Sequence, residues 1–393
     1  MTLIRKIYIG AFLIRLIALA FVITFSESLT TGFIGSGNFR DDVRYLNGAE
    51  IYAKSAKSII DYDALADAYL QVGDWSIDSG YSFVLWYWIV SISMYIFHTH
   101  IALRIMNIIF AILSIKCIYD ITQNLYGEKT AKYAALLYSF LPYPVFFSCF
   151  LYKDQLYTLV ILIIFRIITL KNKNITIIDF ALITFWIIVS TFLRSGLSVF
   201  IAFLIFYLYI NAKGFSLSSS KVWIILVFMC IGSYFLYQYN VDSIDTKFNA
   251  YIENYEEVSK GIISYIYIKS FDQIYKYPIA LFFMMLLPIK TTSGIHSWGE
   301  VVSSINFVVM PIAFGCLCYI FNWKIKKNAF FWSIQLLFLI TIMTSLGLFR
   351  HSYYLQPYTM IFFSHYLTSL KDNRIFIALS IIVTFCYTIM LYF

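Results

Sequence analysis

Two adjacent carboxylic acids, Asp41 and Asp42, stand between Arg40 and Arg44 in a short polar stretch that follows the first long apolar run. Ionisable groups at the edge of a bilayer are costly to bury without partners, so their presence there indicates a site. Two neighbouring acids in apolar surroundings can also hold different protonation states, which suits one of them for proton abstraction. Charge alone leaves an ordinary solvated loop open as the alternative.

The composition of the chain indicates which kind of secondary structure positions these acids. The chain has 393 residues, of which 61% are hydrophobic and 13% charged, whereas soluble domains average about 25% charged residues. Apolar runs recur from end to end, and a helix needs about 20 residues to cross the ~30 Å of hydrocarbon. The sequence therefore predicts an all-α, polytopic membrane protein with a single transmembrane domain, 1–393. The net charge of +8 is spread over many short loops, a pattern typical of positive-inside topology and not of nucleic-acid binding.

The apolar runs predict about eleven transmembrane helices, and Arg5 and Lys6 place the N-terminus in the cytoplasm. Residues 26–100 form the predicted first external loop, with a juxtamembrane or re-entrant helix at 81–97 and short amphipathic helices within 49–71. Residues 240–302 form a second external segment, in which the short run 279–289 is a re-entrant candidate. The predicted spans are 8–25, 101–121, 133–150, 156–170, 175–193, 197–210, 222–239, 303–321, 329–348, 353–370 and 375–391.

With this topology, polar residues at the outer ends of the spans converge on one leaflet, where arginine can contact a phosphate through two N–H groups and lysine acts as a point charge. Interfacial anchoring and snorkelling remain alternatives for several of them. Lys116 and Arg166 lie near inner ends, and we expect them to snorkel to the cytoplasm. The candidates for substrate or phosphate binding are Arg40, Arg44, Tyr45, Lys153, Arg194, Lys290, His296, Arg350 and His351, with Arg104 and Asp154 at the same leaflet.

Several weak motifs follow one another in a fixed order. Asp41, Tyr45 and Ala49 are spaced four residues apart, and a possible juxtamembrane helix follows. Next come a span that opens on an arginine in 103–107, an aromatic-glycine-basic turn in 125–129, and an ordered set of Pro142, Ser148 and Asp154.

This order resembles the GT-C membrane glycosyltransferases, such as the protein O-mannosyltransferases and the enzymes that add aminoarabinose to lipid A. The resemblance covers residues 2–166, and the large soluble C-terminal domain of some members has no counterpart here. It implies sugar transfer from a polyprenyl-phosphate or diphosphate donor to a surface glycan or glycolipid acceptor at the outer leaflet.

By the same resemblance, Asp41 is the general base on the acceptor hydroxyl, with Asp42 as the fallback. Arg194, Lys153 and Arg350 would stabilise the phosphate leaving group, where negative charge develops. Asp154 would support a divalent metal ion or orient a basic partner; members of the family differ in metal use, so we predict no metal firmly.

Two other functions remain open. The composition and the basic residues at span ends also suit a Wzy-type polymerase of polysaccharide repeat units. A transporter or lipid flippase is the rival from another class, although transporters typically show inverted repeats, and no repeat is visible here. In each case we expect an integral protein of a bacterial inner (cytoplasmic) membrane, with the site facing outward.

Overall fold

The computed structural model describes residues 3–24, 41–72, 84–171, 175–194, 204–205, 207–208, 271–286, 309–322, 324–325, 327–344, 353–370 and 374–392. Every regular element in these ranges is an α-helix or a short 3-10 helix, which confirms the all-α prediction. The side chain of Asp41 lies outside the described part, as do the predicted span 222–239, most of the segment 240–302, and the candidates Arg40, Lys290, His296, Arg350 and His351.

The described helices follow the chain in this order: α1 Leu3–Thr24, α2 Asp41–Ser55, α3 Tyr62–Gln71, α4 Val84–Phe97, α5 His100–Tyr126, α6 Glu128–Phe140, α7 Pro142–Phe147, α8 Lys153–Lys171, α9 Ile177–Leu193, α10 Tyr277–Leu286, α11 Met310–Phe321, α12 Ala329–Thr344, α13 Gln356–Ser369 and α14 Arg374–Tyr392. Short 3-10 helices, Phe271–Lys276 and Tyr353–Leu355, precede α10 and α13.

Among the helices that the structure describes, α1 and α5 are long and apolar enough to cross a membrane, and shorter apolar stretches lie in α4, α9, α11, α12 and α14. The apolar helices also expose large hydrophobic side chains: Ile177, Phe185 and Phe192 along α9 are each more than half exposed. Such faces suit contact with lipid. The set fits an all-α membrane protein, while the number of spans stays a prediction.

The helix α5 is central to the described bundle, because it packs against α8 and α6 and also contacts α1 and α4. With 27 residues, it is about 40 Å long. Thr99 caps its start by accepting the backbone N–H of Ile101 at 3.3 Å. It ends at Gly127, whose φ of 88° is one that side-chain-bearing residues rarely adopt. This glycine lets the chain turn directly into α6.

The predicted span 133–150 is interrupted after Phe140, and α7 begins at Pro142. Proline has no backbone N–H, so the Tyr138 carbonyl cannot receive its usual helical hydrogen bond from residue 142. Arg15 of α1 supplies the missing donors, from Nη2 to the Tyr138 carbonyl at 3.2 Å and from Nη1 to the Ser139 carbonyl at 2.9 Å. Arg15 is completely buried. A single guanidinium thus ties α1 to the break between α6 and α7.

The acidic stretch is not a loop, because α2 begins at Asp41 itself. The buried positions of α2 include Asp42, Tyr45, Ala49 and Tyr52, a spacing that matches the helical repeat of 3.6 residues. This face packs against α4, and α3 folds back beside it. The short amphipathic helices predicted within 49–71 are therefore present, but the first starts eight residues earlier and includes the acids.

Candidate active site

The site is built around residues 148–152, the non-helical segment that joins α7 to α8. We call it the α7–α8 segment. Side chains from α2, α4 and α5 hold its backbone by hydrogen bonds, and it leads directly into Lys153 and Asp154 in the first turn of α8. Its conformation therefore decides where the acid at 154 lies.

Asp42 and Arg104 form the central ion pair of this arrangement. Arg104 Nη2 lies 3.1 Å from Asp42 Oδ2, and Arg104 Nη1 donates to the Cys149 carbonyl at 2.7 Å. The other carboxylate oxygen of Asp42 accepts the backbone N–H of Leu151. Only 3% of Asp42 and 7% of Arg104 are exposed. Each charge is compensated by its partner, and both residues also bind the backbone of the α7–α8 segment.

Two further side chains complete this clamp. Asn107, one helical turn after Arg104 on α5, donates from Nδ2 to the carbonyls of Phe150 and Tyr152. The indole N–H of Trp86 on α4 donates to the Leu151 carbonyl at 3.1 Å. Both donors are fully buried. Backbone polar groups that no helix satisfies are thereby paired, as buried groups must be.

At the start of α8, Asp154 is 1% exposed. Its Oδ1 lies 3.3 Å from Nη1 of Arg194, the residue that directly follows α9. The Arg194 guanidinium also lies over the ring of Tyr157, 5.8 Å from its centre. Arg194 is held from two sides, by charge and by a cation–π contact. Lys153 is buried beside Asp154.

Aromatic side chains form one wall next to these charges. Phe147 stacks on Tyr152 with ring centres 5.0 Å apart, and Tyr353 packs against both Phe147 and Tyr143. Tyr353 in turn donates its hydroxyl to Gln155 Oε1 at 2.7 Å. The 3-10 helix before α13 is thereby joined to the first turn of α8, so the C-terminal half of the chain also contributes to the site.

The structure brings together Asp42, Arg104, Lys153, Asp154 and Arg194 around the α7–α8 segment. Tyr45 is buried on the same face of α2 as Asp42, but its ring packs against Trp86 and Tyr87, so it serves packing between α2 and α4. Arg44 is partly exposed on α2.

Sequence reasoning missed Asn107, Trp86 and Gln155. The spacing of three residues between Arg104 and Asn107 was a usable signal, since it places both on one face of a helix. Trp86 lies in an aromatic-rich run, where the simplest interpretation of a tryptophan is that it anchors the helix at the membrane interface. Gln155 directly follows Asp154, but nothing in the sequence shows its partner on residue 353.

Two roles were considered for Asp154, support of a divalent metal ion and orientation of a basic partner. Among the described residues, no group of at least three His, Cys, Asp or Glu side chains could hold a metal ion. The guanidinium of Arg194 lies 3.3 Å from Asp154. This ion pair fits the orientation of a basic partner, one of the two roles considered for this acid.

Residues 84–237 match the model of the dolichyl-phosphate-mannose-protein mannosyltransferase family. The match includes α4, α5 and α8, the α7–α8 segment and Arg194, but not the acids of α2. No curated protein and no solved structure matches the chain significantly. The family match confirms the resemblance that the motifs carried and, together with the apolar helices, indicates a membrane glycosyltransferase of the GT-C type.

Proposed function

We propose that this protein moves a sugar from a polyprenyl-phosphate or diphosphate donor to a hydroxyl group of a glycan or glycolipid acceptor, on the extracytoplasmic side of the membrane. One observation carries the proposal. The carboxylate of Asp42 on α2 accepts the N–H of Leu151, three residues before Asp154, so Asp42 lies next to the start of α8. Arg104 and Arg194 lie there as well.

We assign the role of general base to Asp41. Both carboxylate oxygens of Asp42 are engaged, one by Arg104 and one by the backbone N–H of Leu151, so neither oxygen is directed at a substrate. Asp42 is better suited to positioning than to proton transfer. Asp41, at the first residue of α2, is the adjacent acid, and it would take the proton of the acceptor hydroxyl.

The leaving group is the lipid phosphate. As the acceptor oxygen forms its bond to the anomeric carbon, the bond from that carbon to the phosphate oxygen breaks, and the electron pair leaves with the phosphate. Arg194, which forms an ion pair with Asp154, and Lys153 would stabilise this developing charge. Because Asp154 fixes the guanidinium before substrate arrives, little reorganisation is needed during transfer.

The test is transfer in liposomes that contain the purified protein, a defined polyprenyl-phosphate sugar and a glycolipid acceptor. Asp41→Asn should abolish transfer while expression and folding stay normal, since asparagine cannot accept the proton. Asp67→Asn, at an exposed acid on α3, is the matched control and should retain transfer. Full activity of Asp41→Asn would remove the base assignment.

The same assay separates the alternatives of sequence analysis. A repeat-unit polymerase gives a ladder of product lengths, whereas a simple transferase adds one sugar. A flippase moves the lipid-linked sugar between leaflets without forming a new glycosidic bond. The match to the mannosyltransferase family over residues 84–237 favours the simple transferase.

A further inference from the structure

A second charged group lies on α5 and α8, away from the candidate active site. Asp120 accepts Lys116 Nζ at 2.6 Å on one carboxylate oxygen and Arg166 Nε at 2.7 Å on the other. The Asp120 side chain is 10% exposed, while those of Lys116 and Arg166 are 50% and 38% exposed. We call these three residues the Asp120 cluster. Asp120 pairs with both cations, for which the sequence predicted snorkelling to the cytoplasm.

The Asp120 cluster is remote from the proposed chemistry. Asp120 follows Arg104 on α5 by sixteen residues, which places it about 24 Å farther along the helix. It lies near the end of α5 that leads into Gly127, on the cytoplasmic side in the predicted topology. No step of sugar transfer uses it.

The charges of the Asp120 cluster do not cancel, because one carboxylate faces two cations. Arg166 binds Asp120 through Nε, and among the described residues no hydrogen bond of its two Nη groups is found. The buried hydroxyl of Tyr8 on α1 also has no hydrogen-bond partner there, and Asp120 and Arg166 are among its electrostatic neighbours. The cluster therefore combines an excess positive charge with hydrogen-bond donors that the described residues leave unused.

The helix faces around the cluster are apolar and exposed. On α5, Ile109 and Leu113 are 47% and 48% exposed, and their spacing of seven and three residues from Lys116 puts all three on one face. On α8, Leu170 is 43% exposed but lies one turn beyond Arg166, on the other side of the cations from Ile109 and Leu113. The exposed apolar strip that leads up to the cations is therefore on α5.

We propose that the Asp120 cluster binds the phosphate of an anionic phospholipid headgroup, whose acyl chains lie along the exposed apolar strip of α5. The Nη groups of Arg166 match two phosphate oxygens, and Lys116 adds a point charge. Basic pockets between transmembrane helices suit such headgroups. The apolar strip favours a lipid over free phosphate, because inorganic phosphate gains nothing from it.

The experiment is native mass spectrometry of the detergent-solubilised protein with added phosphatidylglycerol or phosphatidylcholine. The wild type should retain phosphatidylglycerol preferentially. Arg166→Gln should weaken this binding about tenfold, the loss expected for one charge-assisted contact of ~1.4 kcal/mol. Lys132→Gln is the control. This substitution removes a surface lysine outside the Asp120 cluster, one that is paired with Glu128 at 2.6 Å.

Lys116→Gln changes a half-exposed position and supplies the same test if Arg166→Gln fails to fold. Equal retention of the two lipids would overturn the proposal, as would equal losses in Lys132→Gln and the cluster variants. Inorganic phosphate that displaces phosphatidylglycerol at low millimolar concentration would overturn the assignment to a lipid. Because the readout is binding, failure here is distinguishable from failure of the proposed glycosyltransferase activity.

Discussion

Single and double substitutions of the Asp42–Arg104 ion pair test whether Asp42 holds the α7–α8 segment or takes part in proton transfer. The side chains of the pair are 5% and 9% exposed, so removing one partner leaves the other charge buried. Such a loss typically costs about 3–5 kcal/mol. Asp42→Asn keeps an oxygen that can accept the Leu151 N–H, so its cost should come mainly from the uncompensated guanidinium.

Arg104→Met should be the more damaging single change. It leaves the carboxylate of Asp42 without a cation and also removes the donor to the Cys149 carbonyl. An unsatisfied buried acceptor adds about 1–3 kcal/mol. We therefore expect Arg104→Met to lower the free energy of unfolding more than Asp42→Asn does. Reversible unfolding in mixed detergent micelles measures both.

The double variant Asp42→Asn/Arg104→Gln removes both charges and retains groups that can hydrogen-bond to each other. Its cost should be smaller than the sum of the two single costs, with a coupling energy of about 0.5–3 kcal/mol. If Asp42 acts by positioning, the double variant should also recover much of the sugar transfer that each single variant loses. A double variant with near-normal stability and no transfer would refute this reasoning and make Asp42 a proton acceptor.

Two further predictions concern other parts of the chain. Arg15→Met should destabilise the protein by about 2 kcal/mol, because the buried carbonyls of Tyr138 and Ser139 lose their donors; Leu13→Ala, at a site 53% exposed on α1, is the control, and unchanged unfolding of Arg15→Met would contradict the role given to it. In the turn between α2 and α3, the backbone N–H groups of Lys57 and Ala64 hold the pKa of Asp61 below its usual range. The carboxylate therefore stabilises this turn above the ordinary pKa of about 3.9, and the contribution is lost as the pH falls through the lower folded value. The protection factors of residues 57–64, which correct hydrogen exchange for its intrinsic pH dependence, should fall only in that acid range, and an Asp61→Asn variant should show no such fall.

Much of the architecture could be predicted from local pattern. The long apolar runs indicated an all-α membrane protein, and the positions of α4, α5, α8 and α9 agree with the predicted elements to within a few residues. The break after Phe140 was missed, although Pro142 and Pro144 stand in the run. Hydropathy averages over such a break, whereas the missing N–H of a proline acts on one particular carbonyl.

The partner of Asp42 could not be predicted from sequence. The motif spacing pointed to Asp41 as the base and to Asp42 only as its neighbour. In the structure, Asp42 pairs with Arg104, sixty-two residues away in the chain. The partner of Lys116 and Arg166 was not predicted either. The sequence indicated that both cations snorkel to the cytoplasm, whereas in the structure each forms an ion pair with Asp120 of α5.

The sequence by itself determined that this chain is a helical membrane protein and which helices carry polar residues at their ends, because hydrophobicity and helical periodicity are properties of neighbouring residues. Only the tertiary structure decided which charges meet. The contacts of Asp42 with Arg104 and of Asp154 with Arg194 join residues far apart in sequence, and they depend on how α2, α5, α8 and α9 pack. A buried ionic group is stable only with a partner, so that packing selects the partner of each buried acid.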